Sequence, residues 1–259
     1  MLEELYAGSI QDAENRSHVV GTAELEKLAL SAPAPLNALD FLSPGQTVKI
    51  LAEVKRASPS KGEMAKIPDP ALLAQTYADN GASAISVLTE ERRFKGSLED
   101  FDAVRSRVSI PLLRKDFLAN EYQLLEARAH GADIVLLIVA GLEPKVLERL
   151  KHFSEELGMT AFIETHSADE VKLALDLDSK LVGVNARDLS TFETDRDLFA
   201  KLVELFPADV IKVAESAVRS AQDVAHYRAS GADVVLVGEA LVTNDPARML
   251  RSFLASGNI

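Results

Sequence analysis

From Val48 onward, apolar runs of strand length alternate with amphipathic helical patterns. The runs at 48–54, 84–88, 111–115, 133–138, 160–164, 180–184, 210–215 and 233–237 predict strands. Apolar positions three and four apart predict helices over 70–80, 98–107, 120–130, 143–157, 167–177, 195–205, 219–229 and 245–254. Strict alternation implies parallel pairing with right-handed crossovers, and eight units predict a closed (β/α)8 TIM barrel of the α/β class. Gly81-Ala82-Ser83, Gly131-Ala132-Asp133 and Gly231-Ala232-Asp233 form a weak repeat before three of the strands, with glycine where a helix C-terminus needs one. No Gly-x-Gly-x-x-Gly follows the first strand, which disfavours a dinucleotide fold.

Residues 1–46 break the pattern. Leu2, Leu5, Tyr6 and Ile10 have helical spacing, and 23–30 is a second helix candidate, ended by Pro33 and Pro35. Leu36 to Leu42 reads as an irregular apolar linker. The expectation is one barrel domain over 1–259, with 1–46 a helical N-terminal extension and 47–259 the barrel. The extension either packs on the barrel or hangs as a weakly attached arm.

Composition narrows the partners. At 259 residues, 47% of them apolar, the chain suits one large barrel with a sizeable core. A net charge of −12 argues against nucleic acid or an anionic membrane as partner, while leaving room for a local cationic pocket. The absence of cysteine removes disulfides and thiolate metal sites and is compatible with the cytoplasm. The N-terminus has no signal-peptide run, and no stretch reaches the ~18 apolar residues of a membrane helix. The five histidines show no metal-ligand spacing.

Chemistry gathers at the C-terminal strand ends, where barrels of this kind place their sites. The first strand ends in Glu53 and Lys55, two apart and so on one face. The third ends in Arg114-Lys115-Asp116, the fifth in Glu164, and the seventh in Glu215-Ser216. Asn185 and Arg187 follow the sixth, and Gly238-Glu239 the eighth. A single strand-end ion pair is ordinarily structural; three acids and two lysines on one rim indicate a site. The loops at Ser216 and Gly238 suit an anion such as phosphate. His166 reads mainly as a helix-start residue beside Glu164. Phe94-Lys95-Gly96-Ser97 reads either as a lid or as a helix start capped by Ser97.

These residues carry a resemblance. Glu53 through Gly62 (EVKRASPSKG) resembles the signature of indole-3-glycerol phosphate synthase, of tryptophan biosynthesis. The likeness continues through Leu88-Thr89-Glu90, Phe94 to Ser97, Leu113 to Phe117 and Glu164-Thr165-His166. It runs on through Gly183 to Leu189, Glu215-Ser216 and Val237 to Leu241, in order along the barrel. The resemblance implies a carboxy-lyase that closes the indole ring of 1-(o-carboxyphenylamino)-1-deoxyribulose 5-phosphate with loss of carbon dioxide and water. It implies Lys115 as general acid for ring closure, with Glu164 and Lys55 sharing the dehydration, unassigned between acid and base. Glu53 would orient the lysines, and Asn185 and Glu215 would hold substrate hydroxyls. Ser58 and Lys55 would meet the carboxylate, and Arg187 would organise the site. Phe117, Leu136 and Leu189 would line the aromatic pocket, and Phe94 is counted among the substrate-binding residues. Ser216, Gly238 and the Glu239 backbone amide would cradle phosphate.

No step requires a metal, redox cofactor or covalent carrier, so none is expected. The partner expected is a small phosphorylated substrate, the protein acting as a monomer with at most weak association with other tryptophan-pathway enzymes. Two positions depart from the family pattern: Ala217 stands where glycine is usual, and Ala186 where a second asparagine is usual. Alanine disfavours a positive φ, so the anion loop is the place to look for a consequence. The alternatives are another phosphate-binding barrel isomerase, which would leave both lysines and Ser58 without a purpose, or a non-catalytic sugar-phosphate-binding barrel.

Overall fold

The N-terminal segment does not hang free. The computed structural model describes residues 1–188, 191 and 193–257. Helices α1 (Leu2–Ser17), α2 (Thr22–Ser31) and α3 (Ala38–Leu42) precede the first strand. Helix α3 replaces the irregular linker expected there, because Ala38 and Leu42, one turn apart, are both fully buried.

Eight parallel strands close into a barrel: β1 (Lys49–Val54), β2 (Ala84–Leu88), β3 (Leu112–Lys115), β4 (Ile134–Ile138), β5 (Thr160–Thr165), β6 (Leu181–Asn185), β7 (Ile211–Glu215) and β8 (Val234–Val237). Each lies within one residue of its sequence-predicted ends. Strand β8 closes on β1 through Lys49↔Val234 to Ala52↔Val237. Around the barrel run α4 (Pro70–Asp79), α5 (Leu98–Arg105), α6 (Glu121–Ala129), α7 (Pro144–Glu156), α8 (Ala168–Asp176), α9 (Leu198–Leu202), α10 (Ala221–Ala229), α11 (Glu239–Val242) and α12 (Pro246–Ser256). The helix predicted over 195–205 is shorter, with a 3-10 turn over Val203–Leu205, and α11 is an additional short helix.

Strand alternation divides every strand between two cores. Ile50, Ala52 and Val54 join the layer between sheet and helices, with Val87, Val135 and Val182. Leu51, Leu113, Phe162, Leu181, Val213 and Leu236 fill the barrel interior. Two residues beyond an interior residue lies the next inward position, and at the C-terminal rim five of these are polar: Glu53, Lys115, Glu164, Asn185 and Glu215. On the other three strands the corresponding positions are Leu88, Ile138 and Leu236. The period-two pattern therefore sorts the rim into a polar sector and an apolar sector.

The opposite rim is built for stability. Gly81, Gly131 and Gly231 follow helices with φ of 95°, 81° and 97°, the left-handed turn that ends a helix without a Cβ penalty. Asp133 accepts hydrogen bonds from the backbone N–H groups of Leu36 (2.7 Å) and Leu112 (2.8 Å) and from Arg105 (2.7 Å). Asp233, half a barrel away, accepts from the Lys212 backbone (3.0 Å) and pairs with its ammonium (2.8 Å).

Helix α1 is fastened to the other end. Arg16 grips Glu126 of α6 with two bonds of 2.6 and 2.9 Å, and Ser9 donates to Asp116 at 3.2 Å. Tyr6 packs edge-on against Phe117, with ring centroids 5.6 Å apart. Leu25 and Ala29 of α2 pack on Leu125 of α6.

Candidate active site

A cleft of about 360 Å³ opens at the C-terminal rim. Fourteen of the fifteen site residues expected from sequence line it; the fifteenth, Leu189, lies outside the described residues. At its floor the Lys115 ammonium lies 3.0 Å from Glu164 Oε2 and 3.4 Å from Glu215 Oε2. Glu164 Oε1 accepts from Asn185 Nδ2 at 3.0 Å. Asn185 Oδ1 in turn accepts from Ser216 Oγ (2.7 Å) and from the Arg187 backbone N–H (3.1 Å). Those two donors fix which way the Asn185 amide faces. Beside this group, Lys55 is ion-paired with Glu53, whose carboxylate is 1% exposed.

Burial and charge act against each other on these groups. Burial pulls the Lys115 ammonium down, but Glu164, Glu215 and Glu53 outweigh it, so its pKa stands above the ordinary lysine value. Burial pushes Glu164 up, but Lys115, His166 and the Asn185 amide hold it well below the usual carboxylate range. Glu215 goes the other way: burial first, then the Glu164 charge, push it up to about 8. Its Oε1 is buried without a hydrogen-bond partner among the described residues. Gly183 explains its location, since a Cβ there would overlap Glu215 Oε1 and the Phe162 ring.

The loops after β7 and β8, where an anion was expected, are shaped by their backbone. Ser216 and Ala217 adopt φ of 69° and 58° in succession, so alanine takes the left-handed conformation despite its Cβ. The consequence of the alanine is strain in a loop that keeps its left-handed turn. Gly238 is needed for a second reason beyond close backbone approach: a Cβ there would overlap the Glu53 carboxylate. Glu239 begins α11 and its side chain pairs with Lys61 from the loop after β1.

The opposite end is apolar and aromatic. Phe117 lies 6.1 Å from Phe94, ring to ring, with Leu136 and Ile138 in the same wall. Of the two readings of residues 94–97, the structure favours the helix start. Ser97 Oγ accepts from the Asp100 N–H at 3.1 Å, and the Glu90 carboxylate accepts from the N–H groups of Arg92, Arg93 and Phe94.

Sequence reading left several contributors unassigned. Leu2 and Leu5 of α1 form part of the apolar wall, and an amphipathic pattern does not reveal which surface a helix will cover. Gly183, a glycine inside a strand, carried a usable signal of close approach. His166 does stand at a helix start, immediately before the Ser167 cap, yet its ring also faces Glu164.

The chain is similar to known proteins along nearly its whole length. The family model described as indole-3-glycerol phosphate synthase matches residues 2–253. An indole-3-glycerol phosphate synthase of Leifsonia xyli subsp. xyli is 60% identical over 253 residues, covering 98% of this chain and 97% of the relative. One from Mycolicibacterium gilvum is 52% identical over 259 residues, covering 99% and 94%. Among solved structures, 3-hexulose-6-phosphate synthase from Salmonella typhimurium aligns with a TM-score of 0.61 at 15% identity. It covers 81% of this chain and 98% of that one, a likeness of fold alone.

Proposed function

The chain belongs to the indole-3-glycerol phosphate synthase family, and from that premise we propose how its residues divide the reaction. The overall conversion is closure of the indole ring of 1-(o-carboxyphenylamino)-1-deoxyribulose 5-phosphate, with loss of carbon dioxide and then water. The cleft has the matching polarity. Phe94, Phe117, Leu136 and α1 suit the aromatic ring, while Ser216, Ala217, Gly238 and the Glu239 amide suit the phosphate. Lys55 and Ser58 at the mouth suit the carboxylate.

The observation that carries the reading is the Lys115 ammonium held between Glu164 and Glu215 at the cleft floor. Ring closure converts the ketone oxygen into an alkoxide as the carboxyl-bearing ring carbon attacks the ketone carbon. An alkoxide is a stronger base than an amine, so even a tightly held ammonium protonates it. Loss of carbon dioxide then restores the benzene ring. Departure of the new hydroxyl as water needs a second proton donor, and Lys55, steadied by Glu53, is the cation placed for it. The final proton is removed from carbon as the indole forms. Glu164 suits that base role because its neighbours keep it ionised. Asn185 holds Glu164, and Asn185 and Glu215 face the substrate hydroxyls.

The same reading has the protein take a small phosphorylated substrate and act as a monomer in the cytoplasm. No helix among the described residues is long and apolar enough to cross a membrane.

Indole fluorescence after mixing with the carboxyphenylamino-deoxyribulose phosphate tests the proposal. Wild type should produce the signal without added metal or cofactor, and Lys115→Ala should cut turnover by at least about a hundred-fold. Near-normal turnover in Lys115→Ala would move the acid role to another residue, Lys55 first.

A further inference from the structure

The wall behind Glu164 contains a group to which the proposed mechanism gives no task. His166 Nε2 lies 3.3 Å from Glu164 Oε1. Its Nδ1 lies 3.3 Å from Glu170 Oε2, and that same oxygen accepts the His166 backbone N–H at 2.7 Å. The imidazole is thus strung between two carboxylates, one in the site and one on α8. Its side chain is only 13% exposed. Glu170 is placed by the same turn: its backbone N–H donates to the Ser167 Oγ that caps the helix, at 3.2 Å. The Nε2 contact with Glu164 is an ion-pair approach off the hydrogen-bond line. A direct structural bond would be aligned, whereas a charge acts without alignment.

We propose that His166, held as a cation between Glu170 and Glu164, is a positioning residue that keeps Glu164 an ionised base aimed into the cleft. The inference rests on the proposed reaction and deepens it, because it names the group that holds Glu164 in the base form proposed for it. Two flanking carboxylates favour the charged ring, and although burial pulls its pKa down, their contacts lift it to about 10. Among the described residues Glu215 also feels the His166 charge, and Lys115 stands on the other oxygen of Glu164. Lys115 alone must serve both Glu164 and Glu215, and a second cation behind Glu164 biases the remaining proton towards Glu215. Asn185 and His166 approach the same oxygen, Oε1, while Lys115 takes Oε2, so the carboxylate plane is fixed from both sides.

His166→Gln keeps the size and a donor but removes the charge. It should lower kcat about ten-fold, less than the hundred-fold of a 1 Å misplacement, with KM within about two-fold of wild type. The acidic limb of the kcat profile should move to higher pH, because Glu164 then loses one of the cations that hold its proton off. In a Glu164→Gln background the same change should cost less than about two-fold, since a residue acting through Glu164 has nothing left to act on. Glu170→Gln leaves the ring charged at the low pH of that limb and should not move it upward, which separates loss of the charge from disturbance of the wall, and His166→Asn serves where His166→Gln folds poorly. An unmoved acidic limb in the His166 variant would overturn the proposal, as would a full multiplicative loss in the Glu164→Gln background. Failure of wild type itself to form indole would instead count against the reaction.

Discussion

Asp133 and Glu215 are both buried carboxylates at strand ends of one barrel, 2% exposed each, yet they are treated in opposite ways. Burial pushes both upward in pKa. At Asp133, two backbone amides and Arg105 draw the value part of the way back. At Glu215 the next influence after burial is another carboxylate, Glu164, which pushes it further up. One oxygen of Glu215 has no partner among the described residues, while both oxygens of Asp133 are bonded. The N-terminal rim spends its acids on tying segments of chain together. The C-terminal rim holds Glu164 and Glu215 close to one another around Lys115, an arrangement that opposes folding and favours proton transfer.

The largest expected effect falls on the N-terminal rim. Asp133→Ala strands two amides and leaves Arg105 without its carboxylate, which should cost about 3–5 kcal/mol in denaturant unfolding. Turnover per folded molecule should stay near wild type. Gly183→Ala reaches across the comparison, because it overpacks the interior beneath Glu215. It should cost about 1–3 kcal/mol and also lower kcat, by displacing Glu215 and the Phe162 ring.

Glu215→Gln sharpens the contrast through pH. Folded Glu215 holds its proton up to about 8 against an ordinary 4.5, so the folded state binds more protons than the unfolded one in that window. Wild-type stability should therefore fall as pH rises from about 4.5 to 8 by this group's contribution, and Glu215→Gln should flatten the fall in thermal melts. The variant should be the more stable protein at pH 8 and the poorer catalyst. The smallest effect is Ala217→Gly. It relieves a left-handed alanine and should stabilise by about 1 kcal/mol, read as a raised denaturation midpoint.

Why the barrel was legible in the sequence and parts of the site were not follows from the same contrast. Parallel strands buried on both faces need nearly continuous apolar runs, so each strand announces itself, and a charged residue at its end stands out. Glu53, Lys115, Glu164 and Glu215 were visible for that reason. The helix ends were marked by Gly81, Gly131 and Gly231. Helix α3 was hidden because two buried residues one turn apart cannot be told from an apolar loop. The docking of α1 over the aromatic end depends on Arg16, Ser9 and Tyr6 meeting residues more than a hundred positions away, and no local pattern encodes that. The strain at Ala217 was foreshadowed by the missing glycine, although only the backbone shows that the loop keeps its left-handed turn.

The comparison of the two rims is tested most directly by measuring indole-forming turnover per folded molecule for Glu164→Gln beside Asp133→Ala. Glu164→Gln should lose at least about a hundred-fold in kcat while remaining folded to near wild-type temperatures. Asp133→Ala should melt earlier and turn over normally once correction is made for its folded fraction. Loss of turnover in folded Asp133→Ala, or its retention in Glu164→Gln, would contradict the assignment of stability to one rim and chemistry to the other.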